Sequence, residues 1–208
     1  MKPVSQMPSQ SRSSSSRRSW ARWIRELSDR ALVRDDADVR RVAIVGPGGA
    51  GKSTFAEELA RRTGLPVVHL DQHYWRPGWA RSLRNEWEGL QAELVAGDRW
   101  IIDGNYGGTF DLRFERADTV VVLQLPAVIC VAGALRRSLV HRGTAVQAAG
   151  CPERVDADFL RWIWRYRHDS RPRLDVALHR HRGHLAVVDL RSRRQANDLV
   201  RCPPASDP

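Results

Sequence analysis

The stretch GPGGAGKST, residues 46–54, stands between the apolar run VAIV (42–45) and the segment FAEELARRTG (55–64). Glycines this dense make neither a good strand nor a good helix, because ordering them costs backbone entropy and gives no side chain to pack. Yet the stretch separates one of each. Val42–Val45 is short, apolar and rich in β-branched residues, while Phe55, Leu59 and Arg62 recur at helical spacing before Gly64, a natural residue to end a helix. Gly46 to Ser53 fits the pattern G-x-x-x-x-G-K-[ST] in the strand-to-helix setting that gives the pattern its meaning. A chance fit in a chain of this length has a probability on the order of 1% at average residue usage.

Chemistry accounts for each residue type. Gly46, Gly48, Gly49, Ala50 and Gly51 let the loop curl with its N–H groups turned inward, a concavity that takes anions. A helix starting at Lys52 adds free N–H groups and its positive dipole end. Lys52 brings a mobile cation to the β- and γ-phosphates, the Ser53 hydroxyl can ligate Mg²⁺, and Thr54 closes the loop. The alternative, a glycine turn without a ligand, explains neither the lysine nor the hydroxyl beside it. The stretch reads as a phosphate loop, with ATP and Mg²⁺ as the implied cofactors.

From residue 41 the chain alternates. Strands are expected at 41–45, 66–70, 99–103, 118–125 and 184–190, and helices at 52–63, 85–97, 127–142, 153–179 and 193–200. Strands with little polar alternation, separated by helices, make a parallel sheet covered on both faces. The expected fold is therefore α/β: a three-layer P-loop NTPase fold with a five-stranded parallel sheet of the kinase type and a helical or loop lid over about 141–158. Such sheets bind ligands at the carboxyl ends of their strands. Residues 1–18 form a basic Ser/Arg-rich tail expected to be disordered, 19–40 an amphipathic helix and linker, 41–201 the P-loop domain, and 202–208 a second disordered tail.

Bulk properties narrow the partners. The net charge of +10 comes almost wholly from arginine, since Lys2 and Lys52 are the only lysines. Spread along the whole chain, that charge suits solvated faces, so nucleic acid is possible but not favoured. Cys130, Cys151 and Cys202 are an odd number without C-x-x-C spacing, which speaks against a disulfide framework or a zinc site and fits a cytoplasmic protein. The apolar stretch 119–135 contains Gln124 and Pro126 and reads as strand, break and helix, not as a membrane span. A monomer is expected.

The combination of GPGGAGKST, HLDQHYWRPGW (69–79), WIIDGNY (100–106), DLRFERADTVVVLQLP (111–126) and FLRWIWRY (159–166) resembles the DNA topology modulation protein (FlaR-related) group, a branch of the adenylate-kinase-like P-loop kinases. The resemblance covers about residues 41–200. It implies a phosphotransferase that moves the γ-phosphate of ATP, with Mg²⁺, to a small acceptor, either a nucleotide or a hydroxylated metabolite. The other reading is a nucleic-acid-associated NTPase or nucleotide-gated binding protein, and no helix-turn-helix or ribonucleoprotein signature supports it.

Within the resemblance, Asp103 at the end of the third strand holds Mg²⁺ or orients the acceptor. Asp71 at the end of the second strand positions the acceptor hydroxyl or acts as its base; the choice between Asp71 and Asp103 stays open. Trp75 and Trp79 would wall a flat or apolar acceptor, with Tyr74 between Asp71 and them, and Arg113 would meet an acceptor phosphate. Arg136, Arg137, Arg142, Arg161 and Arg165 flank the lid, and at least one of them is expected on the transferring phosphate, Arg137 being the catalytic candidate. The loop from Leu190 to Arg193 would hold the nucleobase. The histidines at 179–184 read as a solvated loop, not a metal site.

Overall fold

The computed structural model describes residues 39–201. The tail 1–18, nearly all of the segment 19–40 and the tail 202–208 lie outside the described residues. Five strands, β1 (Arg41–Val45), β2 (Val67–His69), β5 (Trp100–Asp103), β6 (Thr119–Leu123) and β7 (Ala186–Leu190), form one sheet in the order β2-β5-β1-β6-β7. Every pairing within it is parallel. A two-stranded antiparallel hairpin, β3 (Trp75–Arg76) and β4 (Ala80–Arg81), stands apart.

The core explains why the strands look uniformly apolar in sequence. Val42, Ile44, Ile101, Val121 and Leu123 face one layer, built from α1 (Lys52–Thr63), α5 (Ala127–Val140), α6 (Ala157–Asp169) and α8 (Arg193–Arg201). Ala43, Val45, Ile102, Val120 and Val122 face the other, built from α3 (Arg84–Ala96), α4 (Phe110–Arg116) and α7 (Arg171–His181). A strand buried on both faces loses the period-two alternation that marks a half-solvated one. Central β1 is flanked by β5 on one side and β6 on the other. The phosphate loop leaves its carboxyl end, where ligands bind in sheets of this kind.

Three expectations are corrected. The second strand is shorter than 66–70 and stops at His69, because residues Leu70–Tyr74 turn into a short helix, α2. Asp71 therefore sits on a helical turn and not at a strand end. The long helix expected over 153–179 is two helices with Ser170 between them. Pro172 causes the break: it lacks an N–H and is tolerated only in a first turn, so it opens α7 instead of continuing α6. The helix also starts later, at the Asp156 cap, whose carboxylate accepts from the N–H groups of Asp158 and Phe159. That leaves Glu153 in the lid segment. Among the described residues, no helix is long and apolar enough to cross a membrane.

Candidate functional site

Loop curvature places the phosphate loop against α5. Gly49 has φ +73°, and a Cβ there would overlap the Cys130 carbonyl oxygen and lie 2.8 Å from the Ala134 nitrogen. Among the described residues no carbonyl accepts from the N–H groups of Gly48, Gly49, Gly51, Lys52 or Ser53. Five unpaired donors around one turn make an anion-binding concavity. The Lys52 ammonium donates to the Pro47 carbonyl at 3.1 Å, so it lies folded over the loop it would serve. Thr54 is exposed on α1, and Ala50 is buried beneath the loop. Gly46, whose Cβ would lie 2.5 Å from the Leu123 carbonyl oxygen, donates its N–H to Asn105 Oδ1 at 3.3 Å.

Asp103 is the centre of the polar part. It is 4% exposed, and its Oδ2 accepts from Ser53 Oγ at 2.6 Å and lies 3.0 Å from His69 Nδ1. Its Oδ1 is buried without a hydrogen-bond partner. A buried carboxylate oxygen left unsatisfied is costly and calls for a cation or a water. With the Ser53 hydroxyl beside it and phosphate donors one loop away, the donor set is all oxygen, which fits Mg²⁺.

Sequence reasoning missed His69, although it was quoted within HLDQHYW. The parallel register sets His69 opposite Asp103, a neighbourhood that separation along the chain conceals. The hydrogen bond to Asp103 is the largest influence on its imidazole, raising its pKa above the ordinary 6.5 against the opposing effect of burial. Stability from this contact is fully present below pH about 6.5 and is lost as pH rises through the raised folded value. The melting-temperature gap between the wild type and His69→Gln should therefore narrow as pH rises from about 6.5 through the raised folded value. A gap that stays constant would remove the charged contact.

On the acceptor side, the Tyr106 hydroxyl donates to Asp71 Oδ1 at 2.5 Å. Burial, reinforced by the Asp71 charge, holds the Tyr106 phenol protonated far above its ordinary range. Tyr106 packs with Tyr74 and Trp87 in a cluster whose ring centroids are 4.6–5.0 Å apart, and Trp75 packs edge-on against Tyr74 at 4.9 Å. Trp79 packs edge-on against Trp75 at 5.5 Å. Its φ is +65°, and its indole Nε1 donates to the Pro152 carbonyl at 3.1 Å. It ties the hairpin to the lid segment, aided by Gly78 N–H on the Gly150 carbonyl at 2.9 Å.

Arg113 is the clearest correction. It is fully buried, and its two terminal nitrogens donate to the carbonyls of Gly104 and Tyr106 at 2.6 and 2.7 Å. Burial pulls the guanidinium down to about 9, still charged at neutral pH. It braces the loop that carries Asp103 and Tyr106 instead of facing an acceptor phosphate. Arg113→Met should cost on the order of 2 kcal/mol, because two buried carbonyls lose their donors. Melting should fall by roughly 4–8 °C for a domain of this size. Unchanged melting with a large rise in KM for a phosphorylated acceptor would restore the acceptor role.

The lid arginines separate. Arg161 pairs with Asp158 and Arg165 with Asp169, both at 2.8 Å on exposed helix surface, so their shared face looks to solvent. Arg136 and Arg142 are exposed. Arg137 alone among the five is partly enclosed, against Glu153 and over the Phe159 ring. The histidine cluster is more structured than the sequence suggests: His181 Nε2 lies 2.9 Å from Asp111 Oδ1, and His184 Nε2 lies 3.0 Å from the Phe114 carbonyl oxygen. Among the described residues no group of three potential ligands could hold a metal ion by protein donors alone.

Comparison with known proteins gives one partial family match and distant structural likenesses. The model of the isopentenyl transferase family matches residues 39–108, less than half of the chain, from β1 through the Asp103–Tyr106 loop. No curated protein matches. Among solved structures, a shikimate kinase from Acinetobacter baumannii in complex with shikimate is 16% identical, with 78% of this chain and 89% of that chain covered and a TM-score of 0.46. The phosphate loop and the five-stranded parallel sheet give this protein a P-loop α/β fold.

Proposed function

We propose that this protein is an ATP-dependent phosphotransferase that moves the γ-phosphoryl group to the hydroxyl of a small acceptor. The observation that carries the reading is Asp103, whose orphaned buried oxygen and Ser53 partner lie beside a loop of unpaired N–H donors. Residues Gly46–Thr54 would hold the triphosphate, and Ser53 with Asp103 would hold Mg²⁺. Bound there, the ion would neutralise charge that builds on the transferring phosphate. Lys52 would leave the Pro47 carbonyl and place its ammonium on the same phosphate.

Asp71 is the acceptor-side group, with Tyr106 as its fixed donor. A carboxylate held by a protonated phenol is positioned to accept the proton of an acceptor hydroxyl. Aromatic rings pack against Tyr106, and the arginine expected for an acceptor phosphate is locked in the interior. Both features favour a flat or apolar hydroxylated metabolite over AMP. The resemblance to the topology modulation group supports the kinase class and names no acceptor.

The family-model match favours a second reading, in which the transferred group is an isopentenyl group and the same loop holds the donor's phosphates. One experiment separates the two: ADP release from ATP·Mg²⁺ with pooled nucleoside monophosphates, nucleosides, sugars and hydroxy acids, run beside the same pools with dimethylallyl diphosphate. Acceptor-stimulated ADP release supports the kinase. Diphosphate release only in the second set supports prenyl transfer. A slow rate indifferent to every pool would leave an NTPase, to be tested by salt-dependent DNA binding.

A further inference from the structure

We infer that Glu153 is a positioning residue that holds Arg137 so that its guanidinium fork faces the γ-phosphate of a nucleotide in the phosphate loop; this rests on the ATP-binding reading above. Glu153 is 3% exposed, an unusual place for a carboxylate in a lid segment. Its backbone is fixed from both sides, with its N–H on the Thr144 carbonyl at 2.9 Å and its carbonyl accepting from Gly143 at 3.2 Å. Its Oε2 lies 3.4 Å from Arg137 Nε and 3.5 Å from Ser138 Oγ. Its Oε1, 3.3 Å from Arg137 Nε, accepts no hydrogen bond.

A pair this loosely bonded is a poor stabiliser. Taking both charges from water costs more than such long contacts return, and an apolar pair of the same size would hold the lid as well. What the arrangement does supply is direction. Glu153 grips the guanidinium through Nε alone, so both terminal nitrogens of Arg137 have no protein acceptor among the described residues. Those two nitrogens form the fork that binds a phosphate in bidentate fashion.

The fork also lies close to the loop. The guanidinium carbon is 6.0 Å from the centroid of the Phe159 ring. That ring's edge packs on Gly48 so tightly that a Cβ there would overlap Phe159 Cζ and lie 3.0 Å from Cε2. One aromatic ring thus separates Arg137 from the phosphate loop. Arg161 and Arg165, which share a helix with Phe159, are bound to their own acids on the solvent side.

The test compares affinities of the full-length protein for Mg·ADP and for the Mg complex of a triphosphate analogue with nitrogen bridging the β- and γ-phosphates. Their ratio reports contacts to the γ-phosphate alone. Glu153→Gln should weaken the analogue about tenfold, the loss of one charge-assisted contact, and leave ADP within about twofold. Arg137→Gln should do the same, and the double variant should lose no more than Arg137→Gln alone, since both changes remove one contact.

A merely structural Glu153 would lower melting and weaken both nucleotides alike, which overturns the inference. So do losses that multiply in the double variant, or an Arg137→Gln ratio equal to that of the wild type. Should Glu153→Gln fail to fold, Glu153→Asp keeps both charges, draws the carboxylate back from Arg137 Nε and should lower the ratio several-fold. An unchanged ratio there overturns the inference too. A wild type that binds neither nucleotide would instead remove the ATP-binding reading itself.

Discussion

Lys52→Ala should lower phosphoryl transfer at least about 10²–10³-fold, the range for removing one preorganised group from a charge-developing transition state. Folding should survive, with melting within about 2 °C of the wild type. Lys52 opens α1, where alanine is an equally good helix former, and among the described residues its ammonium donates only to the Pro47 carbonyl. Loss of activity with loss of fold would be uninformative for most residues of this loop. At Lys52 the two separate, because among the described residues the side chain makes no other hydrogen bond or ion pair. Retained turnover in the variant would sink the phosphotransferase assignment, and circular dichroism with a steady-state ADP assay decides the matter.

Gly49→Ala should have the largest effect on stability, about 3–5 kcal/mol, seen as a fall in melting of roughly 10 °C. Two causes add. A φ of +73° is strained for alanine, and the new methyl would overlap the Cys130 carbonyl of α5. Gly51→Ala separates them. Gly51 also has a positive φ, +88°, but a Cβ there meets nothing within 4 Å, so only the conformational cost of about 1 kcal/mol applies. Gly133→Ala approaches the same contact from the helix side, since its Cβ would overlap the Gly49 carbonyl oxygen. Because either change pushes α5 off the loop, the double variant should lose less than the sum. Equal destabilisation by Gly49→Ala and Gly51→Ala would show that the close approach to α5 contributes nothing.

Much of the molecule was legible in the chain. The glycines, lysine and serine of 46–54 sit between a β-branched run and a 3.6-residue period, and that local pattern fixes a strand, a loop and a helix without tertiary help. The five parallel strands followed for the same reason. Their runs are mostly apolar, with polar residues chiefly at the ends, and only a sheet covered on both faces removes the alternation. The short elements were not legible. The helical turn at 70–74, the hairpin at 75–81 and the helix at 110–116 are each under eight residues, too short for a period to stand out. They are held by contacts between segments distant in sequence, such as Trp79 on Pro152 and Tyr106 on Asp71.

Charge at the site was decided by tertiary structure alone. By type and spacing, Arg113, Arg137, Arg161 and Arg165 are interchangeable, four arginines near expected phosphate positions. The fold buries Arg113 on two carbonyls, turns Arg161 and Arg165 to solvent beside their own aspartates, and leaves Arg137 gripped by Glu153 with its fork free. Asp103 acquires Ser53 and His69 as neighbours because parallel strands bring residues far apart in the chain into register. Local sequence determined where phosphate donors could form, since backbone conformation depends on near neighbours. Which charged side chains face that space depends on burial and on partners, and these exist only once the sheet and its helices have packed.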